Sequence, residues 1–224
     1  MSVSHRFNSG IRVVLLAVSW LGLVPAVFAH NPDTSYARVT ISSNTVEFKF
    51  TYDIATLLRI TPLDLDQDGR VSRAELERKA PDIYQFLRAQ IHLELNSQDA
   101  GFGEALPPLW PEDSSAAIPE RDYHQRLVSF SFRNPVYDTP EDVALIFDVF
   151  GRFSERDTML GVFAHEGREH EVIITRFEPD YLYDTGHQPA VYTQLFSYLK
   201  LGIKHIFLGY DHILFLLALL VVSR

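Results

Sequence analysis

Cysteine is absent from all 224 positions, and that absence removes several functions at once. No disulfide framework can staple the chain, no thiolate can act as a nucleophile, and no cysteine-based zinc site can form. Stability has to come from core packing, with a bound metal as a further staple. Positive charge is also scarce: 20 Lys and Arg stand against 29 Asp and Glu, a formal net charge of −9. Nucleic acid therefore finds no electrostatic footprint here. The chain lacks a Gly-rich phosphate loop and any nucleophile motif, so no enzymatic activity is expected. Its acidic surface either serves solubility or suits cations.

Long apolar runs occur at the two ends. Near the start, Arg6 and Arg12 accompany an apolar run from Ile11 to Ala29 that closes on Val27-Phe28-Ala29, a small-x-small cleavage pattern. Residues 1–29 are expected to be a signal peptide, leaving His30 as the first residue; uncleaved, the same run would serve as an anchor. Removing it takes away two basic residues and no acid, moving the formal charge from −9 to −11. At the other end, Ile203 to Val222 is about 20 residues of mostly apolar character, enough to cross a hydrocarbon core of about 30 Å. A transmembrane helix is expected over 195–224, after a linker over 181–194. The signal implies an inner (cell) membrane protein of bacterial type, single-pass, with its soluble domain in the periplasm. Lys200 and Lys204 then lie at the outer end of the helix.

Residues 30–180 read as one exported domain. Val39 and Ile41, then Val46, Phe48 and Phe50, alternate with polar residues about a turn at Ser43-Asn44. Further strands are expected over Leu127 to Arg133, Val143 to Phe150, Met159 to Ala164 and Glu171 to Phe177, the last two flanking a hairpin at Glu166-Gly167. The expected class is mainly β, an antiparallel β-sandwich-like domain with an α-helical insertion of EF-hand type, plus the one C-terminal membrane helix. The insertion comprises a short helix over Asp53 to Ile60 and a helical region over 73–95, broken at Pro81. Gly101 to Glu120, rich in Pro and small residues, reads as a surface loop without chemistry.

The insertion holds the strongest motif. Asp64-Leu-Asp66-Gln-Asp68-Gly69-Arg70-Val71-Ser72-Arg-Ala-Glu75 fits the twelve-residue calcium loop at each diagnostic place. Asp64, Asp66 and Asp68 supply carboxylates at positions 1, 3 and 5, and Gly69 allows the sharp turn. Arg70 offers its backbone carbonyl, Ser72 binds directly or through water, and Glu75 closes the set with two oxygens. Such hard oxygen donors select calcium over zinc or nickel. With Pro62 shortening the entering helix and no second loop to pair with, a structural site of weak extracellular affinity is expected, on the order of 10⁻⁴ to 10⁻³ M. The bland alternative is a solvated acidic turn capping a helix.

In the C-terminal run, His205 and His212 are separated by seven residues, about 20° short of two helical turns, so they share a face. Their Cα atoms differ by about 10.5 Å along the axis, too far for both to hold one ion. Asp211 projects about 100° away from His212. Other helices, from an oligomer or a partner, would have to complete any site; helix packing or an interfacial location is the alternative reading. This pattern, His205-IFLGY-Asp211-His212 with Gly202, Gly209 and a Leu-rich tail, resembles the HupE/UreJ family of hydrogenase and urease accessory permeases. AHNPDTSYARV and DLDQDGRVSRAEL resemble the branch of that family carrying an exported domain with an aspartate-rich loop. The resemblance implies membrane passage of nickel or cobalt, with His205, Asp211 and His212 handling the ion. Family members continue with several more helices, so a truncated or split member is expected. The second reading is a single-pass calcium-binding interaction module without transport.

Three further histidines are candidate ligands. His30, once freed, presents an α-amine and an imidazole together, able to chelate copper or nickel if a second histidine lies nearby; otherwise it is merely a cleavage-site neighbour. His165 and His170 flank the Glu166-Gly167 turn and form a candidate transition-metal pair, or a solvated turn. His124 and His187 carry no visible context.

Overall fold

In a computed structural model, which describes residues 34–111, 116–153, 157–186 and 199, the period-two stretches become strands because each buries alternate side chains. Strand β1 (Thr34–Ile41) puts Ala37, Val39 and Ile41 inside, and β2 (Thr45–Asp53) does the same with Val46, Phe48, Phe50 and Tyr52. They pair antiparallel from Tyr36↔Thr51 to Ile41↔Val46. After β2 come α1 (Ile54–Leu58), β3 (Arg70–Val71), α2 (Arg73–Gln90), β4 (Ile91–Leu95), β5 (Gln98–Ala100), β6 (Glu104–Ala105) and β7 (Ile118–Pro119). A 3-10 turn over Glu120–Gln125 leads into β8 (Leu127–Pro135), followed by β9 (Asp142–Phe147), β10 (Thr158–His165), β11 (Arg168–Thr175) and β12 (Asp180–Asp184).

The strands form a six-stranded sheet, β11-β10-β1-β2-β8-β6, and a four-stranded sheet, β12-β9-β4-β5. Pairing is antiparallel except for β1 and β10, which run parallel from Thr34↔Thr158 to Ile41↔His165. Aromatic rings fill the space between the sheets: Phe50 meets Phe147 edge to face at 6.3 Å, and Phe163 stacks on Tyr183 at 5.3 Å. Phe48, Phe102, Phe132 and Tyr84 extend the cluster toward α2, where Arg88 lies over the Phe132 ring at 4.9 Å. Such ring pairs each add about 0.5–1.5 kcal/mol beyond their burial.

Three expectations are corrected. The helical region expected over 73–95 ends at Gln90, and Ile91–Leu95 is strand β4: Ile91 and Leu93 enter the core while His92 faces out, so the pattern switches from period 3.6 to period 2 without a Gly or Pro to mark it. Pro81 does not break the helix, because Ala80, Ile83, Tyr84 and Leu87 hold one continuous buried face and outweigh the hydrogen bond that Pro81 cannot donate. The linker expected from residue 181 begins instead with β12, whose Tyr183 is buried and pairs with Val143. The signal peptide over 1–29 and the membrane helix over 195–224 lie outside the described residues, Leu199 apart; among the described residues no helix is long and apolar enough to cross a membrane.

Strand direction gives the domain two distinct ends. One carries the Ser42–Asn44, Asn96–Ser97 and Glu166–Gly167 turns and the exit of β12, where Thr185 donates its N–H to Glu141 O at 2.9 Å and its hydroxyl to Pro140 O at 2.7 Å. The other carries the end of β2 at Asp53, the start of β8 at Leu127, and α1 with the acidic loop that follows it.

Gly103 is the tightest backbone contact. It has φ +79°, and a Cβ there would sit 2.2 Å from Arg133 O and 2.8 Å from Asn134 Cα. Gly103→Ala is expected to destabilise the domain by about 2–4 kcal/mol, read as a lowered urea midpoint at an unchanged slope. A midpoint equal to wild type would mean that this approach is not rigid.

Candidate metal centre

The acidic loop is built by its own backbone. Asp53 ends β2 and caps α1, its carboxylate accepting from Thr56 N–H at 2.6 Å, and the short helix delivers the chain to Leu63, which is fully buried. From there Asp64, Asp66 and Asp68 turn back on themselves. Asp64 accepts from the N–H of Asp68 at 3.2 Å and of Gly69 at 3.0 Å, Asp66 accepts from Asp68 N–H at 3.3 Å, and Asp68 accepts from Arg70 N–H at 2.8 Å. The reversal needs left-handed backbone at Gln67 (φ 61°) and Gly69 (φ 78°). One oxygen from each of the three carboxylates lies within 4.8 Å of the others. Two oxygens on one calcium ion, each about 2.3–2.6 Å from it, can be at most about 5 Å apart, so the cluster is of the right size for that ion.

Glu75 stands at the exit. It forms a capping box with Ser72: the Ser72 hydroxyl accepts from Glu75 N–H, and the Glu75 carboxylate accepts from Ser72 N–H at 2.8 Å and its hydroxyl at 2.7 Å. The other Glu75 oxygen accepts from Leu65 N–H at 2.7 Å, tying loop position 2 to position 12. Burial pushes the Glu75 carboxyl up, but the hydrogen bonds from Ser72, Leu65 and Asp66 outweigh it and hold the acid below its ordinary range. Three of the expected ligands are thus gathered. Glu75 borders the same loop with its oxygens on backbone donors, and Ser72 serves as the helix cap.

The sequence missed what holds this loop from outside. Arg70 and Val71, in β3, pair with Pro119 and Ile118 in β7, and Glu120 donates its N–H to Gly69 O at 3.2 Å. Val71 and Ile118 are both buried. Tyr123 follows, its phenol pushed up by burial and by the negative charges of Asp64, Glu120, Asp68 and Glu75. The stretch expected to be a plain surface loop over Gly101 to Glu120 therefore supplies the second strand of the loop's ladder. The apolar Ile118 between small residues was its faint signal.

His165 and His170 do not face each other across the hairpin. His165 pairs with Arg168 and His170 with Phe163, a diagonal offset of two residues. His170 is 8% exposed and stacks on Tyr181 at 5.6 Å, while His165 Nδ1 lies 3.3 Å from Ile41 O as its donor. Stacking on Tyr181 holds the His170 ring, and the bond to Ile41 O holds that of His165. His30, His205, Asp211 and His212 lie outside the described residues.

This geometry defines a class: a mainly β, two-sheet domain presenting an aspartate-rich loop of calcium-binding size at one end and its chain exit at the other. Residues 183–224 match the family described as HupE / UreJ protein, and the match begins inside β12 and runs through the apolar segment that carries His205, Asp211 and His212. No curated protein matches the chain.

Burial holds the His170 imidazole below its ordinary range, with Glu171 pulling the other way to a smaller extent. The neutral ring is the folded form, so its contribution is complete above about pH 6.5 and is lost as pH falls through the lowered value. Between about pH 7.5 and pH 5, wild type should lose more stability in urea melts than His170→Phe, which keeps a ring against Tyr181. Parallel losses in the two proteins would remove this account.

Proposed function

We propose that the chain is a membrane-anchored, exported calcium-binding domain of a HupE/UreJ-like protein, linked to the transport of nickel or cobalt. The observation that carries this reading is the family match over 183–224, which joins strand β12 directly to the His205-x5-Asp211-His212 segment. Ionisable residues are costly inside a bilayer and are kept there for a pathway, so His205, Asp211 and His212 are the residues assigned to the transported ion. Their spacing prevents one helix from chelating that ion alone, and neighbouring helices, from further copies or a partner, complete the site.

Calcium takes the other role. Asp64, Asp66 and Asp68 would hold it, with the Arg70 carbonyl, Ser72 and Glu75 completing an EF-hand-type set. When bound, the ion supplies charge neutralisation for three carboxylates crowded into one turn. The loop lies at the end of the domain opposite the β12 exit, separated by the length of β2, roughly 26 Å at about 3.3 Å per residue. That distance favours a structural calcium ion over one handed to the membrane segment.

At about 10 mM calcium, a Kd of about 10⁻⁴ to 10⁻³ M stabilises the folded domain by about 1.4–2.7 kcal/mol. Calorimetry should show calcium heat in wild type and none in Asp64→Ala, whose unfolding midpoint should not respond to calcium. A wild-type protein without that heat would sink the calcium assignment.

Replacing His205, Asp211 and His212 by Leu keeps the segment apolar, so membrane insertion should persist while cellular accumulation of nickel or cobalt falls to background. Unchanged accumulation with all three replaced would leave the single-pass calcium-binding module as the better reading.

A further inference from the structure

The aspartate loop has no second calcium loop beside it, and β7 with the start of the 3-10 turn fills that place. Arg70↔Pro119 and Val71↔Ile118 are the two pairs of the ladder, and Glu120 donates its N–H to Gly69 O at 3.2 Å. Residue pairs in an antiparallel ladder alternate between those that exchange N–H···O bonds and those that do not. Proline has no N–H to exchange, so Arg70↔Pro119 is the pair that does not. The bond from Glu120 to Gly69, one residue outside that pair, is the one this register requires. The Arg70 N–H and carbonyl therefore face away from β7. What they face is shown by the N–H, which donates to the Asp68 carboxylate at 2.8 Å. The Arg70 carbonyl, the oxygen expected at loop position 7, is left unclaimed by the ladder and turned to the aspartate side.

Gly69 stands at φ +78° and, as glycine, does little to hold its own conformation. The planar peptide between Gly69 and Arg70 is instead pinned on both sides, its carbonyl by Glu120 and its N–H by Asp68. We propose that Glu120 is a positioning residue of the calcium site: its backbone N–H fixes that peptide and so aims the Arg70 carbonyl at an ion held by the aspartates. The proposal rests on the calcium reading above and adds to it a determinant of affinity that lies outside the twelve-residue loop. Holding a ligand in place beforehand raises affinity by removing the ordering cost from the binding step. The Glu120 side chain takes no part, which separates this role from that of a further carboxylate ligand.

The test compares Glu120→Pro with Glu120→Ala in the full chain. Both lose the carboxylate, and only proline loses the N–H. The position accepts proline: Glu120 opens the 3-10 turn, where a fixed φ fits, and Pro119 before it has φ −75° and ψ 155°, the extended form that a residue preceding proline takes. Terbium(III), which takes calcium's oxygen ligands and luminesces, is the probe, with calcium as its competitor; luminescence lifetimes in water and heavy water count the waters on the ion. Glu120→Ala should bind as wild type does. Glu120→Pro should bind terbium about 10–100-fold more weakly and carry one more water on the ion, in place of the Arg70 carbonyl. Coupling is reciprocal, so calcium should slow hydrogen exchange at the wild-type Glu120 amide by about the same factor, a measurement that needs no variant to fold. Glu120→Pro equal to Glu120→Ala in affinity and water count overturns the proposal and leaves the calcium reading standing, as does calcium that leaves the Glu120 amide unchanged. A wild-type chain that binds neither ion overturns both.

Discussion

One buried carboxylate organises the functional end of this domain. Asp53 is the last residue of β2, pairs across the sheet with Leu127, and places its two oxygens on Thr56 N–H and His124. A buried charge without such partners costs several kcal/mol, so the position of both partners is set by Asp53 as firmly as Asp53 is set by the strand. From it follow the turn into α1, the placement of the acidic loop, and the orientation of the His124 ring. The backbone adds a second tie at the same point, since Ile54 donates its N–H to Arg126 O.

That end is built from segments which cannot hold themselves. The acidic loop contributes two residues to a ladder, β7 contributes two more, and the neighbouring 3-10 turn is six residues long. None of these is stable alone, because short elements do not repay the entropy of ordering them. Each sends an apolar side chain into the core: Leu63 just ahead of the loop and Val71 within it, Ile118 from β7 and Tyr123 from the turn are all buried. Negative charge is concentrated in the acidic loop, where one oxygen from each of Asp64, Asp66 and Asp68 lies within 4.8 Å of the others. The opposite end carries the last residues of β12. There Thr185, bonded to Pro140 and Glu141, ties down the end of β12, inside the stretch matched to HupE / UreJ proteins.

Legibility in the sequence followed the range of each interaction. The β1–β2 and β10–β11 hairpins were readable because alternation and turn residues are local. The aspartate loop was readable for the same reason, its ligands falling within twelve residues. Strand β4 was not, because Ile91 and Leu93 continue an apolar pattern compatible with a helix until the second sheet claims them. Strand β12 was hidden by its polar neighbours and by the expectation of a linker; Tyr183 becomes a core residue through Phe163 and Val143. His165 and His170 looked like partners directly across a turn, and the register sets them on a diagonal, with Phe163 opposite His170.

By itself the sequence determined the acidic loop, its glycine turn, the alternating strands of a mainly β domain, and an apolar C-terminal run carrying His205, Asp211 and His212. All of these are set by residue type at short spacing. Tertiary structure decided the parallel pairing of β1 with β10, the pairing of the loop with Ile118 and Pro119, and the meeting of Asp53 with His124. Those contacts join residues far apart along the chain, and what selects them is the burial of Phe50, Phe147, Phe163 and Tyr183 between two sheets, a property no local window contains.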